Sequence, residues 1–277
     1  VAAESYWRQP LKWNAEAERS GERRRVFCAS LADVFEGPET MPAEAWPLVQ
    51  AARARLFELV EQTPALDWLL LTKRPENTWQ NAYTPISWWE RWPSNVWLGT
   101  SVENQEQADK RIPHLLRAPA AVRFLSCEPL LGPVNLDRWL MGWSEYHGAK
   151  AGLREAGKRI DQAYEARDGA RSKLHWVIAG GESGAHARPM HQRWVRSLRD
   201  QCSKARVAFF FKQHGEWIGG GDWEYDTMKV IEERSLWAGQ PNDPDDLPTL
   251  HYRVGKHAAG RLLDDRTWDE LPGVEVA

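Results

Sequence analysis

The sequence predicts an α/β fold built on a mainly parallel sheet. Three observations carry that expectation: six short apolar runs, helix-like segments between them, and polar or glycine-rich residues after each run. The runs are Arg25 to Ser30, Trp68 to Thr72, Val96 to Ser101, Val122 to Ser126, Trp176 to Gly180 and Val207 to Phe211. Their length is that of strands, and their near-continuous apolarity fits a parallel sheet covered on both faces. Between them Val49, Ala52, Leu56, Leu59 and Val60 share one helix face, which Pro64 ends. Asn104 with Gln107 resembles a capping box ahead of Ala108, Ile112 and Leu115, and Pro113 is expected to kink or divide that helix. Trp194, Val195, Leu198 and Cys202 mark a further helix. Strands and helices alternating at this spacing require right-handed crossovers, which a curved partial barrel and an open doubly wound sheet both satisfy.

The domain reading places the barrel-like body in residues 1–218, with a charged helical insertion at about 138–173. A loop-rich insertion follows at 219–251, containing Gly219-Gly220-Gly221 and Asn242-Asp243-Pro244-Asp245-Asp246. Residues 252–277 read as a helical tail docking on the body, with Ala258, Leu262 and Leu263 on its inner face.

A hydrophobic content of 42% and a charged content of 27% favour neither disorder nor a membrane class. A net charge of -3 argues against a dominant nucleic-acid footprint. Cys28, Cys127 and Cys202 are odd in number and widely spaced, which excludes a disulfide scaffold and fits a reducing compartment. No signal-peptide core or membrane-length apolar window is visible, so a cytoplasmic protein is expected. The chain opens at Val1 and not at methionine, which suggests processing or a fragment. The 17 tryptophans, including Trp88, Trp89 and Trp92 around Arg91, read as padding of the outer layers in preference to a base-stacking surface.

The chemistry is expected where the strands end. The first runs into Ser30 and Asp33, the second into Thr72-Lys73-Arg74-Pro75 and the third into Ser101, Glu103 and Asn104. The fourth ends in Ser126-Cys127-Glu128-Pro129, the fifth in Gly180-Gly181-Glu182-Ser183 and the sixth in Lys212-Gln213-His214. Rigid strands in such folds aim side chains at their C-terminal ends into one mouth. Residues two apart share a face, so Gly99, Ser101 and Glu103 fall together, as do Phe124, Ser126 and Glu128, and Ile178, Gly180 and Glu182. Small residues below carboxylates are expected to leave room for a ligand, and Lys73 or Arg74, together with Lys212, to pair with the carboxylates or with an anionic group. The candidate catalytic residues are Glu128, Glu182 and Lys212. The candidate cofactor-binding residues are Ser30, Lys73, Ser101, Glu103, Gly180 and Gly181. The bland alternative is an ion-pair ring that satisfies the barrel mouth.

Three weaker signals stand beside these. Gly180 to Gly184 resembles a phosphate-cradling loop but lacks GxGxxG and Walker spacing. His186 and His191 lie on a loop without metal-motif spacing, and no metal ligand is assigned. The cysteines lack a paired histidine motif for nucleophilic catalysis.

These motifs resemble a phage-associated, radical-SAM-like family named after phage gene products thirty-seven and sixty-eight. The similarity runs from Tyr6-Trp7 and Pro10-Leu11-Lys12-Trp13 almost to Trp268. Its strongest marks are Leu71 to Pro75, Trp97 to Glu103, Phe124 to Gly132, Gly180 to Gly184, Phe210 to Gln213 and Val254-Gly255-Lys256. A more distant resemblance links Thr72-Lys73 and Ser101 to strand ends of spore photoproduct lyase. The resemblance implies a partial (β/α) barrel of radical-SAM type, with the first strand and cluster loop missing ahead of Val1. It implies S-adenosylmethionine (SAM) and a 4Fe-4S cluster as cofactors of the full-length form, and radical chemistry on an unidentified substrate such as a nucleic-acid base. On that analogy Lys73 pairs with the SAM carboxylate, Ser30 and Ser101 bond its amino-acid portion, and Glu128 and Glu182 accept from its amine, its ribose or the substrate. The family's cluster ligands form an N-terminal cysteine group, which Cys28, Cys127 and Cys202 do not replace, because ligands must converge from a compact loop. This chain is therefore expected not to hold the cluster. The rival expectations are a non-enzymatic binding or accessory protein on the same barrel and, behind it, a metal-independent barrel hydrolase that needs Glu128 or Glu182. No membrane is implied as a partner, and no protein partner is indicated.

Overall fold

Six strands, β1 (Arg24–Cys28), β2 (Leu66–Thr72), β3 (Val96–Ser101), β4 (Val122–Cys127), β5 (Trp176–Gly180) and β6 (Ala208–Gln213), form one sheet in the order β1-β2-β3-β4-β5-β6. This is a computed structural model, and it describes residues 3–28, 32–80, 83–88, 92–140, 174–219, 235–238 and 249–273. The sheet is parallel, and its sequential order is that of a partial (β/α) barrel. A doubly wound sheet would reverse direction at a switch point, and this order contains none. The expected strand runs fall within two residues of the observed strands. All residues of β3, β4 and β5 are buried, whereas β1 and β6 at the edges alternate, which is why apolarity is continuous only in the middle of the sheet.

The chain divides into two compact units. The first comprises Val1–Thr100, Arg111–Phe124 and Val274–Ala277. In it α1 (Glu4–Ser20) packs on β1 and β2, and the Asn14 carbonyl oxygen accepts a hydrogen bond from Ala65 N at 2.9 Å. Helix α2 (Trp46–Glu61) buries Leu56, Phe57, Leu59 and Val60. Its last carbonyls need partners outside the helix, and Asn95 Nδ2 supplies one to Val60 O at 3.0 Å. Trp88 and Trp92 are buried against Phe57 and Phe35, which fits the padding reading; Trp89 and Arg91 lie outside the described residues.

Arg53 lies on the buried side of α2, only 5% exposed. Its Nε donates to Val34 O at 2.6 Å and its terminal nitrogen to Glu36 O at 2.7 Å, while Trp46 and Tyr83 face the guanidinium at 5.3 and 4.9 Å. One cation thus satisfies the carbonyls of the loop after β1 and carries two ring contacts.

The second unit comprises Ser101–Lys110 and Leu125–Gly273. The Asn104 side chain accepts from Gln107 N at 3.0 Å and caps α3 (Gln105–Arg117), whose start lies in this unit. Pro113 does not divide that helix: the assignment runs through it to Arg117. A short helix α4 (Asp137–Leu140) opens the charged segment, and residues 141–173 lie outside the described ones. Helix α5 (Gln192–Ala205) buries Trp194, Val195, Leu198 and Cys202 as its periodicity predicts.

Two stretches differ from their compositional reading. The loop-rich 219–251 segment contains strand β8 (Ser235–Ala238) and most of β9 (Thr249–Arg253), which join β7 (Trp217–Gly219) in an antiparallel sheet of order β7-β9-β8. Composition averaged over the segment hides strands this short. In the tail, one turn of helix, α6 (Lys256–Ala259), stops at Gly260, whose φ of 66° favours glycine. Beyond it the chain is extended along β6: Phe211 N donates to Trp268 O at 2.9 Å and Glu270 N to Phe209 O at 3.2 Å. The tail covers the free edge of a sheet strand, a task a helix would not do with backbone bonds. Leu263 is buried, but Ala258 and Leu262 are exposed.

Replacing Arg53 with methionine strands two carbonyls and both ring faces. Denaturant unfolding should show a loss of about 2–4 kcal/mol, whereas Arg55→Met, on the exposed side of α2, should move the unfolding midpoint far less.

Candidate functional site

Within the second unit, β4, β5 and β6 are neighbours in that order, so side chains from β4 and β6 must cross β5 to meet. Two strand spacings amount to about 9–10 Å. Glu128, just past β4, and Lys212, near the end of β6, nevertheless form an ion pair, Lys212 Nζ to Glu128 Oε2 at 3.3 Å. They meet because the residue of β5 beneath them is Gly180. A Cβ there would stand 2.5 Å from Glu128 Oε1, so the glycine leaves the carboxylate space to reach across the strand.

This answers the expectation that small residues leave room for a ligand. The space over Gly180 is filled by Glu128, and the space over Gly99 by the Phe124 ring. Gly181 serves packing too: a Cβ would land on the His214 carbonyl oxygen. Its N–H donates to Gln213 O at 2.9 Å, and Gly184 N donates to Glu216 Oε1 at 3.1 Å. The Gly180 to Gly184 turn therefore directs those two amides at the protein, which corrects the likeness to a phosphate cradle.

The two candidate carboxylates sit in opposite environments. Glu128 is 17% exposed, and burial lifts its pKa above the usual carboxylate range, against the pull of Lys212 and the more distant Lys256. Glu182 is held by Arg188 through both carboxylate oxygens at 2.8 Å, with Arg188 N adding a third bond at 2.8 Å. Those bonds lower its pKa. Burial thus favours the neutral acid at Glu128, whereas Arg188 favours the charged form of Glu182, a clamp on the turn from 182 to 188. Glu103 faces the same region: its charge acts on Arg188 and Cys127, and its carbonyl accepts from Leu131 N at 2.8 Å.

The remaining candidates divide plainly. Ser101 is buried at the end of β3, at the start of the second unit. Lys73 belongs to the first unit, where its backbone N–H donates to Asp33 Oδ2 at 2.9 Å beside the Arg74 guanidinium at 3.1 Å. Ser30 lies outside the described residues. Lys256 and Arg188 are site residues that the strand-end pattern missed. Lys256 stood in the Val254-Gly255-Lys256 motif without a strand to place it, and Arg188 belongs to no spacing rule.

No cysteine is activated. Burial pushes the Cys28 and Cys202 thiols up to about 12, and Cys127 well above its ordinary value. Cys28 falls in the first unit and the other two in the second. Among the described residues no group of three or more His, Cys, Asp or Glu side chains is arranged to hold a metal. The cysteines of this chain do not fit an iron–sulfur centre. His191 instead caps α5, its Nδ1 accepting from Arg193 N at 3.0 Å. Buried His214 bonds Gln192 Nε2 at 2.9 Å and the Leu262 carbonyl at 2.6 Å, so its Nε2 carries the proton.

Residues 1–272 match DUF5131, described as a protein of unknown function. The chain belongs to that family. No curated protein and no solved structure matches it. Among the described residues of this DUF5131 member, no helix is long and apolar enough to cross a membrane.

Two outcomes follow from the packing of the turn. In Gly180→Ala the new methyl meets the end of a flexible side chain, so the fold should survive with a loss of about 1 kcal/mol. In Gly181→Ala it meets backbone, and the loss should reach about 3 kcal/mol or more by thermal unfolding. Titration supplies a second pair. Glu128 has a higher pKa folded than unfolded, so its contribution to stability falls as pH rises through that interval. The unfolding midpoint of the wild type should therefore drop relative to Glu128→Gln as pH rises above the ordinary carboxylate range. Glu182, with its lowered pKa, should do the reverse: the wild type gains on Glu182→Gln as pH rises through the acidic range and keeps the gain at neutral pH.

Proposed function

We propose that this chain is a radical-SAM-like protein that binds SAM at the strand-end mouth of its second unit. The observation that carries the reading is the Glu128–Lys212 pair laid across Gly180, a largely buried carboxylate after β4 and a cation on β6 with β5 between them in a partial-barrel sheet. C-terminal strand ends are where such sheets place their ligands. Buried Ser101 stands at the end of β3, and Glu103 and the Arg188 guanidinium interact beyond it. The Glu128–Lys212 pair offers an acceptor and donors to an amino acid. SAM, when bound beside a reduced iron–sulfur cluster, supplies radical chemistry; the residues described here would bind and orient it, and no electron-transfer step is assigned to them.

The buried, unactivated cysteines favour a second reading, in which the same mouth binds its ligand without redox chemistry. Calorimetric titration with SAM, together with anaerobic iron–sulfide reconstitution and dithionite reduction of a form that carries the family's N-terminal cysteine group, separates the two. SAM binding with release of 5′-deoxyadenosine supports the radical enzyme. Binding without release supports the binding protein, and absence of saturable SAM binding overturns both.

A further inference from the structure

The ion pair is incompletely used. Among the described residues, Glu128 Oε1 accepts no hydrogen bond, although the side chain is only 17% exposed. Lys212, 54% exposed, donates to Glu128 alone among the described residues, which leaves two of its three N–H groups available. A mostly buried acceptor thus stands open next to a cation with open donors. Their separation of 3.3 Å is close to the spacing of the opposite charges in an α-amino acid. An α-ammonium placed against Glu128 Oε1 and its carboxylate against Lys212 close a ring of four alternating charges. Neither resident charge is then left unpaired.

We infer that the Glu128–Lys212 pair seats the zwitterionic α-amino-acid head of the ligand, Glu128 taking the ammonium and Lys212 the carboxylate. The inference rests on the SAM reading and sharpens it: the carboxylate partner is Lys212 and not Lys73. Glu182 is not the ammonium acceptor, because both of its oxygens are taken by Arg188. The elevated pKa of Glu128 agrees with a carboxylate short of donors until a ligand arrives.

Calorimetry with SAM and with 5′-methylthioadenosine, which keeps the nucleoside and lacks the amino-acid head, tests this on the wild type, K212M, K212R, E128Q and K73M. SAM binding should weaken about tenfold or more in K212M and E128Q, and also in K212R, whose guanidinium can take both Glu128 oxygens as Arg188 takes those of Glu182. Binding of 5′-methylthioadenosine should be unchanged in all variants, and K73M should bind SAM as the wild type does. SAM affinity surviving in both K212M and E128Q overturns the inference while leaving the SAM reading intact, as does loss confined to K73M. A parallel loss of 5′-methylthioadenosine binding marks a structural role and overturns it too. If the wild type binds neither compound, the SAM reading falls and this inference with it.

Discussion

The second unit depends on one close approach, that of Gly181 to the carbonyl of His214. No side chain fits between them, so the loops that follow β5 and β6 can pack here only over a glycine. Around that contact the two loops exchange backbone bonds, Gly181 N to Gln213 O at 2.9 Å and Glu216 N to Glu182 O at 3.0 Å. Gly215, with φ of 83°, provides the turn that permits it. The second sheet then locks the outer part of the same loop. Arg253 on β9 donates to Gly184 O at 2.7 Å and Ala185 O at 2.8 Å, and Trp217 on β7 donates to Ala187 O at 2.7 Å. The loop after β5 is therefore fixed from both sides, and Glu182 is held in it as a structural member.

That arrangement explains how two carboxylates of similar sequence context part ways. Both follow a strand, and both have a cation nearby. Glu182 meets a planar guanidinium that grips both oxygens, and burial is too slight to offset it. Glu128 meets a single ammonium at 3.3 Å and is buried enough for desolvation to win. An Arg where Lys212 stands would narrow the difference, since a guanidinium can cover the oxygen that the ammonium leaves open. Burial at Glu128 and the guanidinium at Glu182 thus shift two like carboxyls in opposite directions.

The sheet was legible because its central strands are covered on both faces, a condition that writes itself as unbroken apolar sequence in Val96 to Ser101 and Trp176 to Gly180. The motifs that end those strands correctly marked where Glu128 and Lys212 would lie. The pattern did not reveal their contact, which depends on the sheet order and on which residue of β5 lies between them. Nor did it separate a glycine that makes space for a ligand from one that makes space for a neighbour, since the residue is the same in both cases. Lys256 and Arg188 were missed for a related reason: they reach the site from a one-turn helix and a loop, where neither period 2 nor period 3.6 assigns a direction. The tail misled because Ala258, Leu262 and Leu263 share a helical spacing, whereas Gly260 and the positive φ of Asp264 and Asp265 turn the chain into an edge strand's partner.

A salt bridge that spans a strand differs in kind from one between neighbours. Neighbouring side chains can pair wherever the chemistry suits, but a pair crossing an intervening strand needs a residue without a side chain beneath it and strands rigid enough to hold the two ends at reach. Glu128 and Lys212 meet both conditions, the first through Gly180 and the second through β4 and β6. The pair is long at 3.3 Å and binds through one oxygen only, so its contribution to stability is modest, and a well-packed apolar alternative would serve the fold at least as well. What the arrangement gives in return is a carboxylate and an ammonium presented side by side at the C-terminal rim of the sheet, with one acceptor and two donors open to whatever enters. A charge pair so placed is better suited to recognising another charge pair than to holding the fold together.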